Sequence, residues 1–223
     1  MKINLLMAAL LATISTVASA TPLVVGVGSS ANAFPFGGSF ANPTTYQQVY
    51  SHTSFGTAAV GISALSFTLR SGTVTDGTFT LDLSTTAKAV DALDTSIFAN
   101  NVGPDQKQVF TGALAGELSD HTLTFTFAPF RYDPSAGNLL LNIATSGIPN
   151  NFVGFFRADD GDAGGVYSRA HDFGSGFEGY GLQTTFEVGA APGVPEPAAW
   201  AMMAAGFGLV GVAVRRRSTV VAA

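Results

Sequence analysis

Hydrophobic and polar residues alternate along the central part of the chain. Phe79, Leu81 and Leu83 fall on one face of an extended segment, with threonine and aspartate on the other face. Period-two alternation is typical of β-strands that have one buried and one solvated face. The same pattern recurs at 65–69, 122–127 and 139–143, and weaker versions occur at 45–50, 108–114, 152–157 and 183–188. The pattern therefore predicts roughly seven to nine short strands.

Turn residues separate the predicted strands, at 75–77, 100–104, 133–137 and 148–151. Short strands with frequent turns are typical of all-β proteins, and we predict an antiparallel β-sandwich or jelly roll over residues 21–194. A helical pattern is limited to 86–97, where one short helix is expected. Residues 21–44 are rich in Gly, Ser, Ala and Asn, so a loose arm is expected there. The glycine-rich stretch 174–181 is expected to form a flexible connection, with an aromatic binding surface as the alternative.

The first 20 residues have the organisation of a secretory signal peptide. Lys2 and the α-amino group provide a positive start, and residues 5–14 form an apolar stretch. Ala18 and Ala20 place small side chains at the two positions that signal peptidase inspects. We therefore predict export through the Sec machinery and cleavage of residues 1–20, so that the mature chain begins at Thr21.

The C-terminal end has a second transport segment. A break at Pro195-Glu196-Pro197 is followed by residues 198–214, which carry no charge, and then by three arginines. This length lies at the lower end of the roughly 17–25 residues that a transmembrane helix requires. Because positively charged residues stay on the cytoplasmic side, we predict one transmembrane helix at 198–214 and a cytoplasmic tail at 218–223.

The residues at this end, 195–217, resemble the PEP-CTERM sorting tail in its PEPxxWA form. The resemblance rests on the order and spacing of Pro195, Glu196, Pro197, Trp200, Ala201, Arg215, Arg216 and Arg217. It implies a Gram-negative bacterium and an exosortase, a membrane protease that recognises and removes the tail. The protein would be anchored transiently in the inner membrane and then reach the periplasm, the outer surface or the extracellular matrix.

Proteins with such a tail often accompany exopolysaccharide production and biofilm, which makes exopolysaccharide a further expected partner. The same tail also occurs on proteins described as ice-binding. The resemblance therefore indicates where the protein is sorted, and it does not indicate an activity. A permanent single-pass anchor is the alternative to a cleaved tail.

Composition changes the picture once the two ends are set apart. The chain of 223 residues is 47% hydrophobic and 11% charged and has no cysteine, which excludes a disulfide framework and a cysteine-ligated metal site. Residues 21–194 carry six Lys and Arg against 14 Asp and Glu, a formal charge of −8. Such a domain has no basic surface for phosphates, so nucleic acid is not an expected partner.

Three aspartates lie close together after the predicted strand 152–157. Asp159, Asp160 and Asp162 stand in a glycine-rich sequence, and carboxylate oxygens are ligands that Ca²⁺ prefers. The spacing is not that of an EF-hand, because Gly164 occupies a ligand position and His171 replaces the final glutamate. Two interpretations stay open, a calcium site at the three aspartates and a solvated acidic turn. No other cofactor is predicted.

No arrangement of catalytic residues is evident in residues 21–194. His52, His121 and His171 have none of the spacings that hold zinc, and each is expected at the surface or at a strand edge. We therefore predict an exported surface or matrix protein with a non-enzymatic binding or structural role. The alternative is a carbohydrate-active hydrolase or lyase with paired Asp residues, because a glycosidase needs two carboxylates. The aspartates available for such a pair are Asp82, Asp91, Asp94, Asp133, Asp159, Asp160 and Asp162.

Overall fold

Fourteen β-strands and three short 3₁₀ helices form the described part of the chain. The structure is a computed structural model and describes residues 20–38, 44–161, 165–172, 174–178 and 180–192. In chain order the strands are β1 (Thr21–Val25), β2 (Ser30–Asn32), β3 (Thr44–Tyr50), β4 (Val60–Gly72), β5 (Thr78–Thr86), β6 (Lys107–Gly112), β7 (Leu118–Ser119), β8 (Thr122–Tyr132), β9 (Asn138–Ser146), β10 (Gly154–Asp160), β11 (Tyr167–His171), β12 (Gly174–Glu178), β13 (Tyr180–Leu182) and β14 (Thr184–Ala190). The 3₁₀ helices span His52–Phe55, Phe98–Asn101 and Pro134–Ala136.

The strands form two antiparallel sheets that share one hydrophobic core. In the first sheet the order is β1-β14-β4-β10-β13, with β8 also paired to β4, β7 to β8 and β2 to β10. In the second sheet the order is β12-β11-β3-β9-β5-β6. The prediction of an all-β antiparallel sandwich is confirmed.

The alternating residues that predicted the strands supply much of the core. Phe67 of β4, Leu81 of β5 and Leu141 of β9 are all buried. Phe36 completes an aromatic cluster, with ring centres 4.7 to 5.9 Å from those of Phe67, Phe79, Phe125 and Phe156. This cluster joins β4, β8 and β10 of one sheet to β5 of the other, so it holds the two sheets together.

The segment expected to be a loose arm is folded over residues 21–38. Residues 21–25 form β1, which pairs with β14, and residues 30–32 form β2, which pairs with β10. Phe34 and Phe36 are then buried in the core, with 4% and 0% of their surface exposed. Glycine in this stretch serves tight turns, and the two buried rings provide the apolar burial that orders it. Residues 39–43 of the predicted arm lie outside the described residues.

The prediction of a short helix at 86–97 is wrong. The segment that follows β5 is a succession of turns, in which Asp91 has a φ of 68°. Asp94 accepts the backbone N–H groups of Ser96 and Ile97 at 2.9 and 2.8 Å. Aspartate side chains that bond to nearby backbone compete with helix formation, which explains the difference.

Strands replace the flexible connection expected at 174–181. Residues 174–178 form β12 against β11, and residues 180–182 form β13 against β10. Glycine-rich sequence shows no alternation of apolar and polar residues. The strand conformation here comes from backbone pairing with β11 and β10, and the side-chain pattern of the segment does not indicate that pairing.

Both ends of the described domain lie at the same end of the sandwich. Thr21 at the start of β1 pairs with Val188, and Ala190 at the end of β14 pairs with Val60 at the start of β4. β1 is the outermost strand of its sheet. It contains Pro22, as edge strands tolerate, because proline has no N–H to give to a ladder.

The predicted transport segments lie outside the described residues. They are residues 1–19 of the signal peptide, which include Ala18, the sorting residues 195–217 with the helix at 198–214, and the tail at 218–223. Of the signal peptide, Ala20 alone is described. Within the described ranges, no helix is long and apolar enough to cross a membrane.

Candidate binding cleft

A cleft lies at the end of the sandwich that is opposite the chain ends. It has a volume of about 260 Å³, and its walls come from β2, the start of β10 and the end of β11. Phe155 of this cleft pairs with Ser71 near the end of β4, whereas the chain ends lie at the start of β4. Roughly eleven residues of extended strand, or about 35 Å, therefore separate the cleft from the point where the chain leaves the domain.

Two phenyl rings are exposed in this cleft. Phe152 and Phe155 keep 41% and 43% of their surface accessible. Alternation along β10 explains the second ring, because Phe156 points into the core and its neighbour Phe155 points outward. The backbone of Phe152 is fixed by a bridge to Gly38. Adjacent exposed rings on ordered backbone are typical of binding surfaces.

Arg169 of β11 brings a positive charge to the aromatic cleft. Its guanidinium lies 5.5 Å from the centre of the Tyr180 ring, a cation–π contact that restrains the side chain. Its neighbour on β3 is Gln48, whose side-chain amide bonds the N–H and the carbonyl of Leu182 at 2.8 and 2.9 Å. Arg169 is half-buried and rests beside this buried hydrogen-bond network, so its position is well defined.

Tyr46 extends the same network toward the cleft. Its hydroxyl donates to Oε1 of Gln48 at 2.5 Å, and its ring lies 5.5 Å from that of Phe34. Burial raises the pKa of Tyr46 to about 12, although the positive charge of Arg169 acts in the opposite direction. The phenol therefore stays protonated and serves as a donor.

The imidazole of His171 also lines the cleft. It packs edge-to-face against Phe34, with 5.4 Å between ring centres. Burial and, after it, the positive charge of Arg169 lower the pKa of His171 to about 4, so the ring is neutral at neutral pH. The other two histidines, His52 and His121, are exposed, as expected, while His171 is half-buried at the end of its strand.

Sequence patterns do not reveal this cleft. The outward ring of Phe155 is the one signal available, because strict alternation must place one of two consecutive phenylalanines outside. Arg169 and His171 face the cleft only because β11 pairs with β3 in a particular register. No local pattern encodes that long-range pairing.

Asp159, one of the three predicted calcium ligands, fastens a turn to β10. The side chain is buried, and its oxygens accept the N–H groups of Val27, Gly28 and Ser29 at 2.8, 2.7 and 3.2 Å. The hydroxyl of Tyr167 donates to Oδ2 at 2.5 Å. Gly28, with a φ of 68°, adopts the left-handed conformation that lets successive N–H groups turn toward one carboxylate.

These hydrogen bonds also fix the charge state of Asp159. Burial alone raises the pKa of this carboxyl, but the bonds from Tyr167 and from the three N–H groups outweigh burial and lower the pKa below the usual aspartate value. A carboxylate has about four lone-pair sites, and the four donors use all of them. The lone pairs of Asp159 are thus engaged within the fold.

The calcium site stays a prediction. Asp160 is exposed at the end of β10, and Asp162 lies outside the described residues. In the part of the chain that the structure describes, no three His, Asp or Glu side chains form a group that could hold a metal ion.

The aspartates weighed for paired-carboxylate hydrolysis include two that stabilise turns. Asp133 accepts the hydroxyl and the N–H of Ser135 at 2.7 and 3.0 Å, and these bonds lower its pKa. Hydrogen bonds from Asn100 and from the following backbone do the same for Asp94. A general acid needs a raised pKa so that it keeps its proton near neutral pH. Neither side chain is suited to that role, and hydrolysis stays an untested alternative.

Comparison with known proteins identifies the C-terminal segment. Residues 193–217 match the PEP-CTERM protein-sorting motif, which covers the predicted sorting tail; the PEPxxWA form stays a prediction. No curated protein and no solved structure matches the chain. The motif is a signal for export through the membrane to the cell surface and for processing by an exosortase. The chain is therefore an exported protein that carries a PEP-CTERM sorting signal.

Proposed function

We propose that the β-sandwich binds extracellular polysaccharide at the cell surface or in the matrix, and that it does so without cleaving its ligand. The observation that carries this proposal is the pair of exposed rings, Phe152 and Phe155, beside the guanidinium of Arg169. Exopolysaccharide of a biofilm matrix is the ligand that we propose, because proteins with this sorting tail often accompany its production.

The chemistry of the cleft suits a sugar ring. A pyranose has an apolar face of C–H groups and a rim of hydroxyls, so a phenyl ring can cover the face while polar side chains bond the rim. Such a contact buries only the small apolar face of one sugar ring. Binding of one sugar residue is therefore weak, and repetition along a polysaccharide supplies avidity.

The position of the cleft also supports a binding role. The sorting signal begins at residue 193, directly after the described domain, and β14 ends at the start of β4. The cleft lies about 35 Å away, at the other end of β4. A domain held by its C-terminal tail would present the cleft away from the membrane.

Export and sorting are tested by deletion of residues 195–217 from the full chain. We expect the deletion variant to leave the fraction in which the intact chain is found, as followed by cell fractionation and immunoblotting. Deletion of the six residues 218–223 is the matched control, because it leaves the motif intact. An unchanged distribution of the first variant would refute the sorting role of the tail.

Binding is tested with the purified full chain by affinity electrophoresis in gels that contain exopolysaccharide. Phe155→Ala should lose most of the retardation, because it removes one of the two exposed rings. Ile97→Ala is the control, since Ile97 is 57% exposed and lies outside the cleft. Equal retardation of both variants would refute binding at the cleft. Release of reducing ends in the same mixtures would instead favour the paired-Asp hydrolase.

A further inference from the structure

We infer that the cleft selects a sugar that carries a carboxylate, such as a uronic acid residue of a polysaccharide. The inference rests on the proposed function, and it names the ligand class of the same site. It follows from the charge of the cleft, from the hydrogen-bond donors that line it, and from its volume.

The charge of the cleft is opposite to that of the domain around it. Residues 21–194 have a formal charge of −8, yet among the described residues that line the cleft Arg169 is the ionised side chain and none is acidic. No described carboxylate side chain makes an ion pair with Arg169. The nearest acid in sequence, Asp172, is engaged elsewhere, because its Oδ2 accepts the N–H of Thr45 at 2.9 Å. An anionic group is therefore the ligand feature that complements the cleft.

The polar groups of the cleft are mainly donors. A guanidinium has five N–H donors and no acceptor, and its planar edge matches a carboxylate in a bidentate arrangement. The contact with Tyr180 restrains Arg169 before any ligand arrives, which reduces the entropy lost on binding. Oδ1 of Asn32 already accepts the N–H of Phe34 at 2.8 Å, which orients this side chain so that its NH₂ group is the remaining donor. A ligand rich in acceptors satisfies both groups.

The size of the cleft limits the ligand to about one sugar residue. Its volume of about 260 Å³ lies just below the range of roughly 300–1,000 Å³ for pockets that enclose drug-sized ligands. One ring stacked on Phe155 fits this space, and the adjoining residues of a polysaccharide would lie outside it. Binding in the cleft should thus depend on a single carboxylate near Arg169, and not on the total charge of a polyanion.

The test compares ligands that differ at the carboxyl group alone, which is charged in the acid and is a neutral methyl ester in its partner. Oligomers of galacturonate, glucuronate and mannuronate are each offered to the purified full chain beside their methyl esters, and dissociation constants are measured by calorimetry. A charge-assisted hydrogen bond contributes about 1.5–3 kcal/mol, so at least one acid should bind about tenfold or more tightly than its ester. Equal binding of every acid and its ester would overturn the inference and leave polysaccharide binding in place.

Two arginine variants test whether the preference for the acid over the ester arises in the cleft. Arg169→Gln should bind acid and ester alike, whereas Arg131→Gln, at an exposed position on β8 near the start of β4, should keep the preference. A preference that survives Arg169→Gln would overturn the assignment to this cleft. If Arg169→Gln does not fold, as judged by its melting curve, the comparison of acids with esters on the native chain is the test of the inference. Absence of binding to these oligomers and to exopolysaccharide would refute the inference and the proposed function together.

Discussion

Replacement of Asp159 by asparagine tests how the first turn of the domain is held. The asparagine has nearly the same shape, but it has one carbonyl oxygen and one NH₂ group in place of two carboxylate oxygens. Oδ1 can still accept the N–H groups of Gly28 and Ser29. The NH₂ group then faces the N–H of Val27, which donates to Oδ2 at 2.8 Å in the native protein. The part-buried N–H of Val27 therefore loses its acceptor, and so does the buried hydroxyl of Tyr167, which donates to the same oxygen.

The expected loss of stability follows from these contacts. An unsatisfied buried donor costs about 1–3 kcal/mol, and the remaining bonds weaken because they no longer involve a charge. We expect Asp159→Asn to lower the free energy of unfolding by about 3 kcal/mol. For a domain of this size, a change of 1 kcal/mol moves the Tm by roughly 2–4 °C, so the variant should melt about 6–12 °C lower.

The assay is thermal and urea unfolding of the full chain between pH 3 and pH 7. Asp159 has a lower pKa in the folded state than in the unfolded state, so its contribution is fully present above the ordinary aspartate pKa of about 3.9 and is lost as the pH falls through the folded value. The difference between the native chain and Asp159→Asn should be constant from pH 7 to pH 5 and should shrink below about pH 4.

Asp160→Asn is the matched control, because Asp160 is the exposed neighbour on the same strand. Its effect should stay within about 0.5 kcal/mol. The reasoning fails if Asp159→Asn is as stable as the control, or if the difference between Asp159→Asn and the native chain does not shrink on acidification.

Three further outcomes are expected. Phe36→Ala should lower the free energy of unfolding by about 3–5 kcal/mol in urea titrations, because the variant loses a fully buried ring that contacts four others. A loss under about 1 kcal/mol would contradict the packing of residues 33–38. Tyr132→Phe should cost about 1 kcal/mol in the same assay, since the hydroxyl donates to the carbonyl of Gly137 at 2.8 Å, and no change would count against that bond. Calcium should not raise the Tm relative to a chelator, because the lone-pair sites of Asp159 accept hydrogen bonds within the fold; a clear rise would support the calcium site predicted at Asp159, Asp160 and Asp162.

Alternation gives most of the sheet framework from sequence, and long-range pairing supplies the rest. Phe79, Leu81 and Leu83 identify β5 because one face is buried and the other is not. β1 gives no such signal, since Leu23, Val24 and Val25 form a continuous apolar run after the predicted signal peptide. Its strand conformation depends on β14, which lies at the other end of the domain sequence.

The functional residues divide in the same way. The sorting motif is a local sequence signal, and it is found from the sequence alone. The cleft depends on β2, β10 and β11 coming together from two sheets, so Arg169 and Phe155 become neighbours only in the folded chain. For Asp159, the local run of acids suggests a cation, whereas three of its four hydrogen-bond donors lie about 130 positions earlier in the chain.

The pairing of β1 with β14 sets the order of events during export. On the predicted Sec route the N-terminal end of the chain crosses the membrane first, so β1 would emerge before Val188 arrives to pair with Thr21. Such distant contacts form slowly compared with local hairpins. In that interval Pro22, which has no N–H, makes β1 a poor template for strands of neighbouring chains. On that route, β1 would gain its partner only when β14 has emerged, immediately ahead of the sorting signal.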